Sequence, residues 1–346
     1  MKTPQVLVEN PIDQASLQEL HQALGEGPVI ILTHDNPDPD GLASGKALSY
    51  IFENLWGISS RLVYSGIIAR AENKAMLRLL TPEWEHQEIL DDLEKYSALV
   101  LVDSQPGAGN NMIPNDYHPH VVLDHHHPLR TALKPVDYVD VRPEVGATAS
   151  LVFQYMQAAD ISPDAEIATG LFYGIQTDTR GLSRGDSLID QFAYFELLKY
   201  IDRRLLIQVE QAGLPRDYFR AFCNGLHAAI VWGNVVICYL KDMHRPDFAA
   251  EMADLLVRLE DSRAVLCLGY HEETMYLSLR TTSLDQDAGI LIQKVVFPPG
   301  KAGGHGVMAG GQIPILKSDP EYVYDRVKDR FLSVMEEVGE GESLLG

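Results

Sequence analysis

Two short runs carry the residue types that do chemistry. Asp124-His125-His126-His127 follows the apolar Val121-Val122-Leu123, and His34-Asp35-Asn36-Pro37-Asp38-Pro39-Asp40 follows Val29-Ile30-Ile31-Leu32. Two further aspartates, Asp103 and Asp178, close other candidate strands or loops. Carboxylates arriving off buried strands are seldom fully buried unless they are paired or bound to metal. Imidazole and carboxylate without thiolate suit hard or borderline divalent ions: Mn²⁺ or Mg²⁺ first, then Zn²⁺, Fe²⁺ or Co²⁺. Two such ions about 3.5–4 Å apart clamp an in-line phosphoryl displacement and generate hydroxide near neutral pH. Asp103 is the natural carboxylate to bridge them. Taken singly, Asp-Pro-Asp reads as a turn, a strand-end aspartate as a helix cap, and three histidines as a solvated patch. Their joint placement favours a metal centre.

The elements that must position these residues follow from periodicity. Leu17, Leu20 and Leu24 predict a helix over roughly 14–24. The wholly apolar run at 29–32 has the pattern of a strand buried on both faces, and 61–64, 97–102 and 121–123 are further strand candidates. Helices are expected at 44–56, 148–159 and 165–175, and over about 190–211, with Thr177-Asp178 just past the third. Strands alternating with helices imply an α/β class with a doubly wound, mostly parallel sheet. Ligands of such sheets sit outside the carboxyl ends of the strands, where three of the acidic clusters fall. Beyond Gly213-Leu214-Pro215 the pattern changes to strands at 235–240, 264–268 and 274–279, with helices at 248–259 and 289–296. A glycine-rich turn, Gly303-Gly304-His305-Gly306, precedes a closing helix marked by Val323, Val327, Phe331 and Val334. The expected organisation is a catalytic domain over 1–190, a helical connector over 191–220 and a smaller α/β domain with a mixed sheet over 221–346. The active site is expected in the cleft between the domains.

Composition narrows the partners. The chain has 346 residues, 46% hydrophobic and 22% charged, and a formal net charge of −21. That charge argues against a broad basic face for long duplex nucleic acid. Short nucleotides remain open, because metal ions and a few arginines supply local positive charge. No stretch reaches the roughly 20 apolar residues of a membrane-spanning helix, and Met1–Asn10 lacks the features of a secretory signal. Cys223, Cys238 and Cys267 form no CxxC pair, so a disulfide framework and a thiolate zinc site are not expected. A cytoplasmic location is the default, and a homodimer is left open.

His34-x-x-x-Asp38-x-Asp40, Asp103, Asp124-His125-His126 and Thr177-Asp178 resemble, in order and approximate spacing, the four motifs of the DHH phosphoesterase superfamily. Gly303-Gly304-His305 followed by Ala309-Gly310 resembles the glycine-rich signature of its associated C-terminal domain, and Ser278-Leu279-Arg280 the arginine segment before it. The branch it resembles holds nano-RNases, 3′-phosphoadenosine-5′-phosphate phosphatases and cyclic-dinucleotide phosphodiesterases. The resemblance implies one metal on His34, Asp38 and Asp103, with Asp103 bridging, and a second completed by Asp40, His125 and Asp178. Asp124 would orient a neighbouring histidine and His126 would face substrate, steadying the scissile phosphate or protonating the leaving oxygen. Hydroxide held by the metals would attack, so no protein nucleophile is needed. Arg280, Gly303, Gly304 and His305 would grip a terminal phosphate or a base.

The expected function is hydrolysis of linear dinucleotides and other very short RNA, and of 3′-phosphoadenosine-5′-phosphate, to mononucleotides: an oligoribonuclease-like exonuclease with two divalent cations, Mn²⁺ first and Mg²⁺ or Co²⁺ as alternatives. Competing readings are a cyclic-dinucleotide phosphodiesterase, a pyrophosphatase or polyphosphatase, and a non-catalytic nucleotide-binding module. A processive exonuclease on long strands is disfavoured by the charge and by the lack of basic–aromatic stretches. The sequence departs from the family at Pro39, where a glycine is usual, at Ala43-Ser44, at Ala302 and at Met308. The last two put substrate preference in question. His127 has no assigned role.

Overall fold

The computed structural model describes residues 12–90, 92–114, 117–183, 187–283, 287–315 and 319–346. Met1–Asn10, and with it the reading of a missing signal, lies outside the described residues. The chain divides into two units at Gly213/Leu214.

The first unit runs α1 (Gln14–Leu24), β1 (Val29–Leu32), α2 (Pro39–Trp56), β2 (Ser60–Tyr64), α3 (Ala71–Leu79), β3 (Glu85–His86), β4 (Ala98–Val102), β5 (Val121–Asp124), β6 (Tyr138–Val141), α4 (Thr148–Ala158), α5 (Ala165–Asp178), α6 (Leu188–Leu197) and α7 (Arg203–Glu210). Among the described residues the sheet has six strands in the order β3-β2-β1-β4-β5-β6. Every pairing is parallel. The chain steps outward from β1 to β3, then returns to place β4 on the other side of β1. The β1/β4 boundary is therefore the switch point, where strand ends diverge and leave a crevice.

Period-two alternation sorts each strand between two cores. Val29 and Ile31 join Val100, Val102, Val121 and Leu123 against the α1, α2, α4 and α5 side chains. Ile30 and Leu32 join Leu99, Leu101 and Val122 on the opposite face. That face is covered by Leu90, Leu93, Tyr96, Met112, Ile113 and Tyr117 from short turns and loops rather than by long helices.

The second unit runs α8 (Arg216–Ala228), β7 (Ala229–Trp232), β8 (Val235–Asp242), α9 (Phe248–Leu256), β9 (Ala264–His271), β10 (Thr274–Thr281), α10 (Ala288–Val295), β11 (Lys301–His305), β12 (Met308–Pro314), α11 (Pro320–Met335) and β13 (Glu342–Ser343). Its strands follow the order β11-β12-β10-β9-β8-β7-β13. The β8/β9 pair is parallel and the other pairings are antiparallel, so the sheet is mixed. One face buries residues of α10 and α11, the other residues of α8 and α9. No helix among the described residues is long and apolar enough to cross a membrane.

Four details differ from the expectation. Helix α2 begins at Pro39 rather than Ser44, because Asp38 caps it and proline suits a first position whose N–H needs no partner. The helical stretch over 190–211 is two helices, with Asp202 capping α7 through the Arg204 and Leu205 amides at 2.7 and 3.3 Å. The glycine-rich stretch is a strand and its hairpin, β11 pairing with β12, rather than a turn alone. The 191–220 segment is not a separate connector. Ala193, Leu197 and Val209 lie in the first core, whereas α8 packs Tyr218 and Phe222 on the second.

Phe52 is fully buried in the first core, with its ring 5.9 Å from that of Trp56. Phe52→Ala leaves a cavity under the helix that carries Asp40. It should lower unfolding stability by about 3–5 kcal/mol, read as a lower urea midpoint with an unchanged slope.

Candidate metal centre

Each cluster residue is aimed by a specific piece of backbone. His34 follows β1 by two residues, and its Nδ1 lies 2.9 Å from the Asp35 carbonyl. A carbonyl only accepts, so Nδ1 carries a proton and Nε2 is the atom left for the carboxylates. Burial would lower the His34 pKa, but in the metal-free protein the hydrogen bonds to Asp103 and Asp38 hold it well above the usual imidazole value. That Nε2 points at Asp103 Oδ2, 3.5 Å away, and Asp38 Oδ1, 3.8 Å away. Asp38 also caps α2, its Oδ1 accepting from the Asp40 and Gly41 amides at 3.0 and 3.2 Å. The capping and the cluster use the same carboxylate.

Asp40, fully buried, lies in the first turn of α2. Its two oxygens accept from the Thr148 and Ala149 amides, both at 2.7 Å. Helix α4 has no side-chain cap of its own at Ala147. A carboxylate from α2 therefore meets its unpartnered N–H groups and the positive end of its dipole.

Asp103 follows β4 directly and sits at φ 58°. A non-glycine residue holds this left-handed region at a cost, and such residues cluster at functional sites. Its amide still pairs with the Leu123 carbonyl at 2.9 Å, so the backbone turn swings the carboxylate over the strand ends. Oδ1 accepts from Thr148 Oγ1 at 2.8 Å. Oδ2 is buried with no hydrogen-bond partner.

His125 repeats the logic of His34. Nδ1 faces the Val145 carbonyl at 3.2 Å, and Nε2 is buried without a hydrogen-bond partner. It lies 3.5 Å from Asp178 Oδ2, 3.6 Å from Asp103 Oδ1 and 4.0 Å from Asp40 Oδ2. Asp178 is the last residue of α5, where the negative end of the helix dipole disfavours a carboxylate. A cation beside it would offset that cost.

His126 differs. Its Nδ1 is 2.7 Å from Asp124 Oδ1 and 3.7 Å from Asp103 Oδ1, and its side chain is about half exposed at 49%. Burial would lower its pKa, but the Asp124 hydrogen bond and the Asp103 charge outweigh that and raise it to about 9. Burial pushes Asp124 the other way. The hydrogen bonds from His126 and Gln105 nevertheless hold its carboxyl below the usual range.

Ligand-type atoms fall into three overlapping groups: His34, Asp38 and Asp103; Asp40, His125 and Asp178; and Asp103, His125 and His126, each with all atoms within 4.8 Å of one another. Asp103 offers Oδ2 to the first group and Oδ1 to His125 of the second. An orphaned buried Oδ2 and an orphaned buried Nε2, facing carboxylates beyond hydrogen-bond length, fit divalent cations rather than a closed hydrogen-bond network. In the metal-free protein the repulsion is visible. Asp40 is pushed well above the usual carboxylate value by burial and then by Asp103 and Asp38. Asp178 is pushed up likewise by burial and then by Asp38, Asp40 and Asp103.

All six residues expected as metal ligands thus come together, with Asp124 beside His126. Sequence reasoning missed Thr148 and Gln105, which hold Asp103 and Asp124, and Gly41. A Cβ on Gly41 would lie 2.4 Å from Thr33 Oγ1 and 3.2 Å from Asp103 Oδ2. The Gly41 position directly after two aspartates was the one legible signal. The 127–130 loop leaves His127 exposed, with no role assigned.

In the second unit, backbone pairing aligns Arg280 with Met308 and Met308 with His305; the His305 side chain lies outside what is described. Arg280 is engaged within its own unit. Its Nε donates to Asp254 at 2.6 Å and its Nη1 to Ser278 Oγ and the Leu279 carbonyl at 2.9 and 3.1 Å. Gly304, at φ 147°, could not carry a side chain, since a Cβ would stand 2.4 Å from Ala309 Cα. Gly303 and Gly310 pair across β11 and β12, and both are exposed. A Cβ on Gly303 would meet nothing within 4 Å, and one on Gly310 only the Leu277 carbonyl at 3.6 Å. Local packing does not demand glycine at either place.

Parallel strands with carboxylates and imidazoles gathered at the switch point define a metal-centre α/β domain. Residues 28–175 match the DHH family, N-terminal domain. An uncharacterised protein of Methanocaldococcus jannaschii is 32% identical over 317 residues, 91% of this chain, which spans 64% of that protein's length. A bifunctional oligoribonuclease and PAP phosphatase, NrnA, of Thermus thermophilus is 26% identical over 306 residues, covering 87% of this chain and 88% of that protein. A Streptococcus agalactiae protein named "Probable manganese-dependent inorganic pyrophosphatase" is 23% identical over 164 residues, only 44% of this chain and 48% of that protein. The crystal structure of an exopolyphosphatase-related protein from Bacteroides fragilis has the same fold, with a TM-score of 0.72 at 15% identity over 94% of this chain and 98% of that one.

The raised groups set a pH dependence for the metal-free protein. A carboxyl raised on folding makes the native state bind more protons than the unfolded one, so stability falls as pH climbs from 3.8 toward the raised value. The His126 contribution is full below 6.5 and lost as pH rises through about 9. Both act in one direction. Tm of the metal-free protein should decline from pH 6.5 to about 9, and added Mn²⁺ should raise Tm most at the upper end, because ligands must be deprotonated. Thermal melts with and without Mn²⁺ check this; a metal-free Tm that climbs over the window contradicts it.

Proposed function

We propose that the chain is a divalent-metal-dependent phosphoesterase that hydrolyses very short ribonucleotides, linear dinucleotides first, to mononucleotides. The observation that carries this reading is the Asp103-centred cluster with its orphaned Oδ2 and His125 Nε2. The similarity to the NrnA oligoribonuclease and PAP phosphatase runs through both units of the chain and supports a nucleotide substrate. The pyrophosphatase likeness covers less than half of the chain, which leaves the second unit to account for the difference in substrate. A cytoplasmic location accords with three free thiols.

On this reading His34, Asp38 and Asp103 hold one divalent cation, and Asp103, Asp40, His125 and Asp178 hold the other. Oxygen and imidazole donors favour Mn²⁺, with Mg²⁺ and Co²⁺ as alternatives. Bound there, the cations supply Lewis acidity and an acidified water. Asp124 holds the proton at His126 Nδ1 and keeps the imidazole cationic. Its Nε2–H then contacts a non-bridging phosphate oxygen or delivers a proton to the leaving oxygen. The first unit acts as the catalytic domain and the second, from Leu214, as the substrate-binding domain. There the bare Gly303/Gly310 pair lets a phosphate or ribose lie against backbone amides, with Arg280 and His305 bordering it in the next row of the sheet. Arg280 acts through its charge while tied to Asp254.

The test is purified protein with Mn²⁺ on linear dinucleotides, longer oligoribonucleotides, 3′-phosphoadenosine-5′-phosphate, cyclic dinucleotides and pyrophosphate. Dinucleotides should be turned over fastest. Asp103→Ala should lose more than about a hundredfold, since residues that only support metal ligands are already worth about 10–100-fold. Absence of metal-dependent turnover on the whole panel, or full activity in Asp103→Ala, sinks the reading. Gly303→Val should lower kcat/KM on dinucleotides at least about tenfold, or 1.4 kcal/mol, with Tm unchanged because its Cβ meets open space. Unaltered kcat/KM would remove the second unit from substrate binding.

A further inference from the structure

Gln105 lies two residues beyond Asp103, in the loop after β4, and is 2% exposed. Both N–H groups and the oxygen of its carboxamide are engaged. Nε2 donates to Asp124 Oδ2 and to the His126 carbonyl, both at 2.8 Å, and Oε1 accepts from the Arg130 amide at 2.9 Å. The partners fix the amide orientation, since a carboxylate and a carbonyl only accept and a backbone N–H only donates. Neither leucine nor glutamate could replace that pattern. The backbone beneath is pinned as well: Asn111 Nδ2 donates to the Gln105 carbonyl at 3.1 Å and to Ser104 Oγ at 3.0 Å.

The carboxamide grips both halves of one catalytic pair. Asp124 Oδ1 faces His126 Nδ1 at 2.7 Å. With Oδ2 tied to Gln105, the carboxylate cannot rotate away from the imidazole. The same side chain holds the backbone of His126 and closes the 126–130 loop. We propose that Gln105 is a positioning residue, acting through Asp124 to fix the orientation of His126 toward substrate. The proposal rests on the reading of the site as a phosphoesterase centre.

The experiment compares Gln105→Leu, Gln105→Glu, Asp124→Asn and the double variant Gln105→Leu/Asp124→Asn in the full chain. Turnover of a linear dinucleotide and Mn²⁺ binding by calorimetry are measured for each. Both Gln105 variants should lose about 10–100-fold in kcat, with KM and Mn²⁺ affinity unchanged, because the six candidate ligands are untouched. The double variant should be no slower than Asp124→Asn alone, the mark of two residues acting as one unit. Additive losses overturn the proposal. So does wild-type turnover in Gln105→Glu, which keeps only the acceptor for Arg130 and would reduce the role to loop closure. Loss of the cooperative thermal transition in both variants would assign Gln105 to the fold and likewise overturn it. If the wild-type chain hydrolyses nothing in the panel, the phosphoesterase reading fails instead. The pairing is then read by the hydrogen-bonded His126 Nδ1–H proton resonance of the metal-free protein, which should vanish in Gln105→Leu; its survival overturns the positioning role.

Discussion

Asp40, Asp103 and Asp124 are buried to 1% exposure or less within one cluster, and much of the first unit is arranged around the cost of keeping them there. An isolated buried carboxylate is far too unfavourable to persist ionised. Each has its own remedy. Asp40 occupies the N-terminus of α4, taking two amides and the positive dipole end. Asp124 takes an imidazole and a carboxamide. Asp103 receives one hydroxyl from Thr148 and leaves an oxygen unmatched. Asp178 stands against a dipole that repels it, so the compensation is complete for Asp124 and incomplete for Asp103 and Asp178. The incomplete part is where cations belong.

The switch point makes this concentration of charge possible. β1 and β4 are neighbours in the sheet yet far apart in sequence, so the segments after them turn away from each other and open a crevice at their common edge. Helix α2 leaves β1 through Asp38, Pro39, Asp40 and Gly41, and its first turn approaches Asp103 so closely that a Cβ at Gly41 would collide with Thr33. Gly174 plays the same part from α5, where a Cβ would stand 3.0 Å from Asp40 Cα. The cluster is therefore compact because α2 presses against the strand ends, and α5 against α2, through glycine.

How much of this was legible in the sequence varies with the cause. Buried parallel strands are mostly apolar, and for that reason the runs read at 29–32, 97–102 and 121–123 fall on β1, β4 and β5 to within a residue. The short edges β3 and β13, two residues each, carry no periodicity to read. The start of α2 was misplaced because Pro37 and Pro39 suggest a stiff loop, whereas proline after a capping aspartate opens a helix. The ligand-type residues could be listed from their chemistry and their place after strands. Thr148, Gln105 and the Val145 carbonyl could not, because they are defined by partners tens of residues away. The glycine stretch at 303–306 reads as a turn by composition, and only pairing with β12 makes it a strand.

The three histidines of the site divide by what holds their Nδ1. His34 and His125 turn that atom to backbone carbonyls, at 2.9 and 3.2 Å, which leaves Nε2 of each facing the carboxylate cluster. His126 gives it to a carboxylate, which stabilises the cation and raises its pKa to about 9 after burial has acted the other way. On the proposed reading, a carbonyl at Nδ1 suits an imidazole to hold metal through Nε2, and a carboxylate there suits it to act as an acid. The adjacent pair His125-His126 can hold both roles because successive residues leave β5 in different directions, one toward Val145 and one toward Asp124. Exposure follows the same division, 14% for the His125 side chain and 49% for His126.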